Sequence, residues 1–218
     1  MNKMLGILFT AMLVFVLAAC GSDNTSKEDE GKSSEEDTTA NTESTEKEAE
    51  SAEEASDDGE TAVGETVSNE GGDHLLVSRT DDVGTFESGP IKMDISKVNG
   101  VSSKLKGELA TYMDADELEY IQVDIQVESS SEDNISFYPS QATLVTDTGE
   151  QLEPDMMMSE HIDGEFLGKV KKEGINYYIL QNSKASDVKH VKLVFSSPTD
   201  SNFEPIGEDI TVEVDLEQ

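Results

Sequence analysis

Tryptophan is absent from this 218-residue sequence, cysteine occurs once, and histidine occurs only at positions 74, 161 and 190. A single cysteine cannot close an internal disulfide, so the fold must be held by its core alone. Three histidines leave little material for general acid–base work near neutral pH. Basic residues are scarce as well: 15 Lys and Arg stand against 48 Asp and Glu, for a net charge of -33. That balance excludes a general nucleic-acid binder, which needs a basic face for phosphates, and argues against charge-driven adsorption to anionic lipid. It favours solubility and mutual repulsion of copies, and it would also suit a high-salt habitat. No G-x-S-x-G or H-E-x-x-H occurs, so neither the nucleophile elbow of serine hydrolases nor the zinc-protease helix is encoded. No apolar run is long enough to span a bilayer: Met4 to Val16 covers about 13 residues against the ~20 required.

What is present begins with that short apolar run. It follows the charged start Met1-Asn2-Lys3 and ends in Leu17-Ala18-Ala19-Cys20. Charged start, apolar middle and small residues make a secretory signal. The last four residues resemble the lipobox of bacterial lipoproteins, an aliphatic residue and two small ones before a cysteine. The resemblance implies cleavage between Ala19 and Cys20 and a diacylglycerol on the Cys20 sulfur, with N-acylation of the new terminus (palmitate, for example) as a further step. Two acyl chains, at about 0.8 kcal/mol per buried CH₂, anchor stably where one exchanges. Gly21 to Asp73 then holds no Leu, Ile, Phe, Tyr or Met. So little apolar surface cannot offset the entropy of ordering, and a disordered acidic tether over residues 20–74 is expected.

From residue 75 the pattern changes, and a single domain over 75–218 is expected. Ile91, Met93 and Ile95 alternate with polar residues, as do Ile121, Val123, Ile125 and Val127, then Val191, Leu193 and Phe195, then Ile210, Val212, Val214 and Leu216. Period two marks strands with one buried and one wet face, an arrangement that antiparallel sheets tolerate. Strands are expected near 90–98, 119–128, 135–138, 142–147, 165–171, 174–181, 188–196 and 208–216. Gly149 in T-D-T-G-E and Gly174 in K-K-E-G read as hairpin turns. Leu105, Leu109 and Tyr112 share a helical spacing that Gly107 weakens. The whole points to an all-β, antiparallel β-sandwich of seven or eight strands.

Four stretches carry a further likeness: Y-I-Q-V-D-I-Q-V-E-S-S-S-E-D-N-I-S-F-Y-P, A-T-L-V-T-D-T-G-E-Q-L, F-L-G-K-V-K-K-E-G-I-N-Y-Y-I-L and V-K-H-V-K-L-V-F. With these, residues from about Gly89 onward resemble an immunoglobulin-like domain family of poorly known function on surface lipoproteins of Gram-positive bacteria. Gly168 and Gly174 stand near that family's glycine positions, but Glu173 replaces the proline expected before Gly174. The resemblance implies an immunoglobulin-like sandwich outside the cytoplasm with an adhesive or ligand-binding role.

Few constellations carry chemistry. Met156, Met158 and His161 are soft or borderline ligands suited to Cu(I), or else methionines filling a core gap or forming a contact surface. Asp114-Ala115-Asp116-Glu117 opens like a calcium loop but meets Leu118 where an oxygen ligand is needed. Ser159, His161 and Asp163 are sequence neighbours, whereas a catalytic triad is assembled in space. Tyr120, Tyr138, Tyr177 and Tyr178 are candidate aromatic contacts, with Tyr177 and Tyr178 on opposite faces. Lys169, Lys171, Lys172, Lys184, Lys189 and Lys192 would meet an anionic wall polymer or merely guard strand edges. The expectation is therefore a lipid-anchored lipoprotein on the outer face of a Gram-positive membrane, with no enzyme activity, no cofactor and no resident metal. Its domain would bind a protein, peptide or cell-wall component; metal handling through Met156, Met158 and His161 is the alternative.

Overall fold

In the computed structural model, residues 61–218 are described; the signal segment, Ala19, Cys20 and the tether up to residue 60 lie outside the described residues. The period-two runs form β3 (Ile91–Leu105), β4 (Glu117–Ser129), β10 (His190–Phe195) and β11 (Ile210–Asp215). Around them stand β1 (Thr66–Asn69), β2 (Gly72–Ser88), β5 (Asn134–Ser136), β6 (Thr143–Thr146), β7 (Gln151–Leu152), β8 (Glu165–Leu167) and β9 (Lys171–Ile179). Helix α1 (Gly107–Met113) joins β3 to β4. All pairings between strands are antiparallel, in sheets ordered β1-β2-β3-β4-β9, β11-β10-β6-β7 and β5-β8. The described residues therefore form an all-β antiparallel sandwich, with eleven strands in place of seven or eight.

The two larger sheets share one core. Met93, Ile95, Val123 and Val127 from the first meet Leu144, Val191 and Leu193 from the second, all buried. Phe137 and Phe195 stack with centroids 6.5 Å apart. A smaller cluster lies on the opposite face of the five-stranded sheet, where Leu76, Val101, Leu105, Leu118 and Tyr120 are covered by Leu109 and Met113 of α1. A bulge in β3 makes this possible. The β3–β4 register shifts between Ile95 and Lys97, so odd-numbered residues face the main core up to Ile95, while Val101 and Leu105 face α1. One extra residue inverts the faces of everything beyond it.

Three expectations need correction. The sheet starts at Thr66, inside the stretch expected as tether: β1 pairs with residues 72–75, and Asn69 Oδ1 accepts from Gly71 N at 2.8 Å and Gly72 N at 3.1 Å to close the turn. A strand added to an existing sheet is held by backbone bonds and needs little apolar area. β2 has no counterpart among the expected strands, because register shifts at Leu76/Ser78 and Asp81/Gly84 break its alternation. Gly174 is not a turn but lies within β9, opposite Ile125. The expected turn at Gly149 does form, with φ +95°, between β6 and β7.

Candidate functional site

The methionine loop runs along the free edge of β9. Asp155 N donates to Tyr177 O at 2.7 Å and Glu160 N to Ile175 O at 2.9 Å, and Tyr177 N donates to Ser159 Oγ at 3.0 Å. Asp155 Oδ1 accepts from Met157 N and Met158 N, tightening the turn. The candidate ligands differ in exposure. Met158 is half-buried against the Leu76–Tyr120 cluster, while Met156 and Met157 are about 70 % exposed and His161 is exposed. Among the described residues no group of three His, Cys, Asp or Glu side chains is placed to hold a metal ion.

The other candidates have structural partners. Ser159 Oγ serves β9, and Asp163 accepts from Glu165 N at 3.1 Å and faces Lys172 Nζ at 3.3 Å. The Glu165 amide and then Lys172 hold the Asp163 carboxyl below its usual range. Asp114 ends α1 in the left-handed region (φ +50°), and Leu118 is buried. Tyr178 is fully buried: its hydroxyl donates to Ala142 O, and Asn176 Nδ2 reaches Pro139 O at 2.9 Å. Burial pushes the Tyr178 phenol, and that of Tyr120, upward. Tyr177 lies on the opposite face, edge-to-face with Tyr120 at 5.5 Å. Tyr138 alone of the four is exposed. Of the lysines, Lys169 pairs with Glu132 at 2.6 Å.

A side lobe was not foreseen as a unit. β5 and β8 pair, Ile135 and Phe166 point into the core, and Asn134, Ser136, Glu165 and Leu167 therefore face outward. Ser136 and Thr199 exchange both backbone bonds at 2.9–3.0 Å, so the 199–205 hairpin extends this small sheet on the other side of β5. Antiparallel register puts the hairpin tip and Leu167 on either side of Asn134. At that tip Phe203 is 79 % exposed with φ +62°. A bulky side chain in the left-handed region costs roughly 1–2 kcal/mol. Asp200 sustains it: Oδ1 accepts from Asn202 N at 2.8 Å and Glu204 N at 2.9 Å, and Phe203 N donates to Asp200 O. The Glu204 and Asn202 amides hold the Asp200 carboxyl below its ordinary range, so it is ionised at neutral pH. The sequence signals for the lobe are the strands expected near 135–138 and 165–171; nothing local marks Phe203.

A shallow hollow of about 380 Å³ lies between Val63, Arg79, Thr80, Asp81, Glu217 and Gln218. Among the described residues no helix is long and apolar enough to cross a membrane.

The comparisons with known proteins bear on location. No protein-family pattern matches the chain. Over 161 residues it is 29% identical to the SPbeta prophage-derived uncharacterized lipoprotein YonS of Bacillus subtilis (strain 168), covering 73% of this chain and 74% of that one. The chain is similar to a Gram-positive lipoprotein. A functionally unknown protein from Listeria monocytogenes EGD-e superposes with a TM-score of 0.54 at 12% identity, covering 67% of this chain and 89% of that one, which is a likeness of fold. A putative lipoprotein, ycdA, of Bacillus subtilis superposes at a TM-score of 0.42 and 15% identity, covering 62% of this chain and 39% of that one. The relationship to YonS supports lipoprotein character and attachment to a membrane through lipid.

Proposed function

We propose that the chain is a lipid-anchored lipoprotein on the extracytoplasmic face of a Gram-positive membrane, and that its sandwich is a non-enzymatic, immunoglobulin-like binding module. Acylation of Cys20 after cleavage at Ala19 would provide the anchor, and the acidic segment that follows would space the domain from the bilayer. The reading of the anchor rests on the order Lys3, apolar run, Leu17-Ala18-Ala19-Cys20 together with the likeness to YonS. The reading of the domain rests on one observation: a tightly packed core coexists with large apolar side chains left in water, namely Tyr112, Met156, Met157, Leu167 and Phe203. Such residues on a rigid scaffold mark contact surfaces when they group together.

Cys20→Ser in the full-length chain tests the anchor. Loss from the membrane fraction, with failure to gain the mass of two acyl chains, is expected; an unchanged mature mass in the membrane would refute it. Photo-crosslinking on intact cells tests the module, with a reactive side chain at position 157 or 203 of the full chain. Specific adducts from at least one position are expected, and their absence from both would refute it.

A further inference from the structure

The side lobe combines three features that occur together nowhere else among the described residues: outward apolar side chains, a strained aromatic tip and a surplus of one charge. Leu167 is 66% exposed, Tyr138 42% and Phe203 79%. Leu167 stands on β8 and Tyr138 follows β5, both on its outward side, and Phe203 crowns the hairpin beyond β5. The segments that carry them also carry Glu132, Asp133, Asp163, Glu165, Asp200 and Glu204, all exposed except the half-buried Asp200. The nearby lysines are already engaged: Lys169 with Glu132, and Lys172 with Asp163 and the carbonyls of Asp163 and Glu165. The lobe therefore presents apolar contacts inside an anionic rim.

We infer that this face is a docking surface for a basic, amphipathic peptide segment of a protein partner. The inference rests on the binding-module reading and names its site and partner chemistry. Charge complementarity selects the occupant. An anionic lipid surface or an anionic wall polymer would be repelled by the same carboxylates that attract lysine and arginine. Apolar side chains of the segment would meet Leu167 and Phe203, and its cations the rim. An exposed aromatic gains nothing for the fold from a left-handed backbone, and retention of such strain is typical of residues that serve a contact.

The test uses the full chain in phosphatidylcholine nanodiscs, with empty nanodiscs as blank, and a short fluorescent peptide of alternating lysine and leucine. Anisotropy should show saturable binding, and Phe203→Gly or Leu167→Ser should weaken it by at least about tenfold. Phe203→Gly leaves the charge unchanged and relieves the backbone, so its thermal midpoint should be equal or higher. The matching glutamate–leucine peptide should not bind. Affinity unchanged within about twofold by both substitutions would mean charge attraction to the acidic chain alone and would overturn the inference. So would equal binding of both peptides, or Phe203-dependent retention on purified cell-wall polymer without peptide binding. Cell crosslinks from position 157 with none from 203 would overturn this inference and leave the binding-module reading standing; silence at both would end both.

Discussion

A methyl group added at Gly174 would sit 2.3 Å from the Glu160 carbonyl oxygen and 2.7 Å from Ile162 Cγ1. The glycine is there because the methionine loop crosses β9 at that point, and not because the chain turns. Gly174→Ala should therefore push the loop off the strand and destabilise the fold by about 1–3 kcal/mol, read as a lower urea midpoint at constant m. A turn glycine with positive φ would be strained by alanine whatever its surroundings, whereas Gly174 is crowded from outside. Met158 and Met156 make a second contrast. Met158 packs on the Leu76–Tyr120 cluster, and its truncation to alanine should cost about 1–2 kcal/mol. Met156 is 71% exposed, and the same change there should fall within about 0.5 kcal/mol. If both variants unfold at the wild-type midpoint, Met158 is not filling a gap and the ligand reading of the loop regains ground.

Strand edges explain much of the sequence that alternation does not. An open edge invites pairing with other chains, and each one is blunted differently here. The β9 edge is covered by residues 155–160. Lys172 Nζ caps the outward carbonyls of Asp163 and Glu165 beside β8, at 2.8 Å each, and lies 4.9 Å from the Phe166 ring centroid. β2 is bent by two bulges and tied to the chain's end by Arg79 N to Glu217 O and Thr80 Oγ1 to Asp215 O. These devices are built from polar residues and glycine, which is why β2 was hard to read while Ile121–Val127 was plain. The loop after β9 is held in another way, by the carboxylate of Glu150. It accepts from the amides of Gln181, Asn182 and Ser183 at 2.7–3.2 Å. Burial raises the Glu150 pKa, but the Ser183 hydroxyl and the three amides outweigh it, so the folded value lies below the usual 4.5. A carboxyl with a lowered folded pKa contributes stability above its unfolded pKa and loses it as pH falls through the folded value. Urea unfolding between pH 6 and 3 should therefore show a loss beginning near pH 4.5 that Glu150→Gln diminishes. At pH 7 the variant should be weaker by about 1–3 kcal/mol. Equal pH slopes for both proteins would remove Glu150 from the account.

At the scale of the whole molecule, what the sequence made legible divides by the range of the forces involved. Period-two burial is local, so the sandwich class and the strands of the main core followed from Ile91–Ile95, Ile121–Val127, Val191–Phe195 and Ile210–Leu216. The side lobe is not local. Leu167, Ser136 and Thr199 come together only through backbone pairing between distant segments, and no composition signal marks Phe203 as its tip. Charge is the longest-ranged property, and it is legible from counting alone: 48 acids against 15 bases give -33. Ion pairs such as Lys106–Asp73 and Lys169–Glu132 engage some of the lysines, but most carboxylates have no cation to face. Their mutual repulsion disfavours the compact state more than the expanded one, and salt screens it over a Debye length of about 10 Å at 0.1 M. Raising monovalent salt from about 0.05 to 0.5 M should therefore raise the thermal midpoint by roughly 2–4 °C, equivalent to about 1 kcal/mol for a chain of this size. Sodium chloride and potassium chloride should act alike if screening is the cause. A divalent cation that gave a saturable rise at micromolar concentration would instead point to a built cation site, and a midpoint that fell with monovalent salt would show that attraction across the ion pairs outweighs repulsion among the acids.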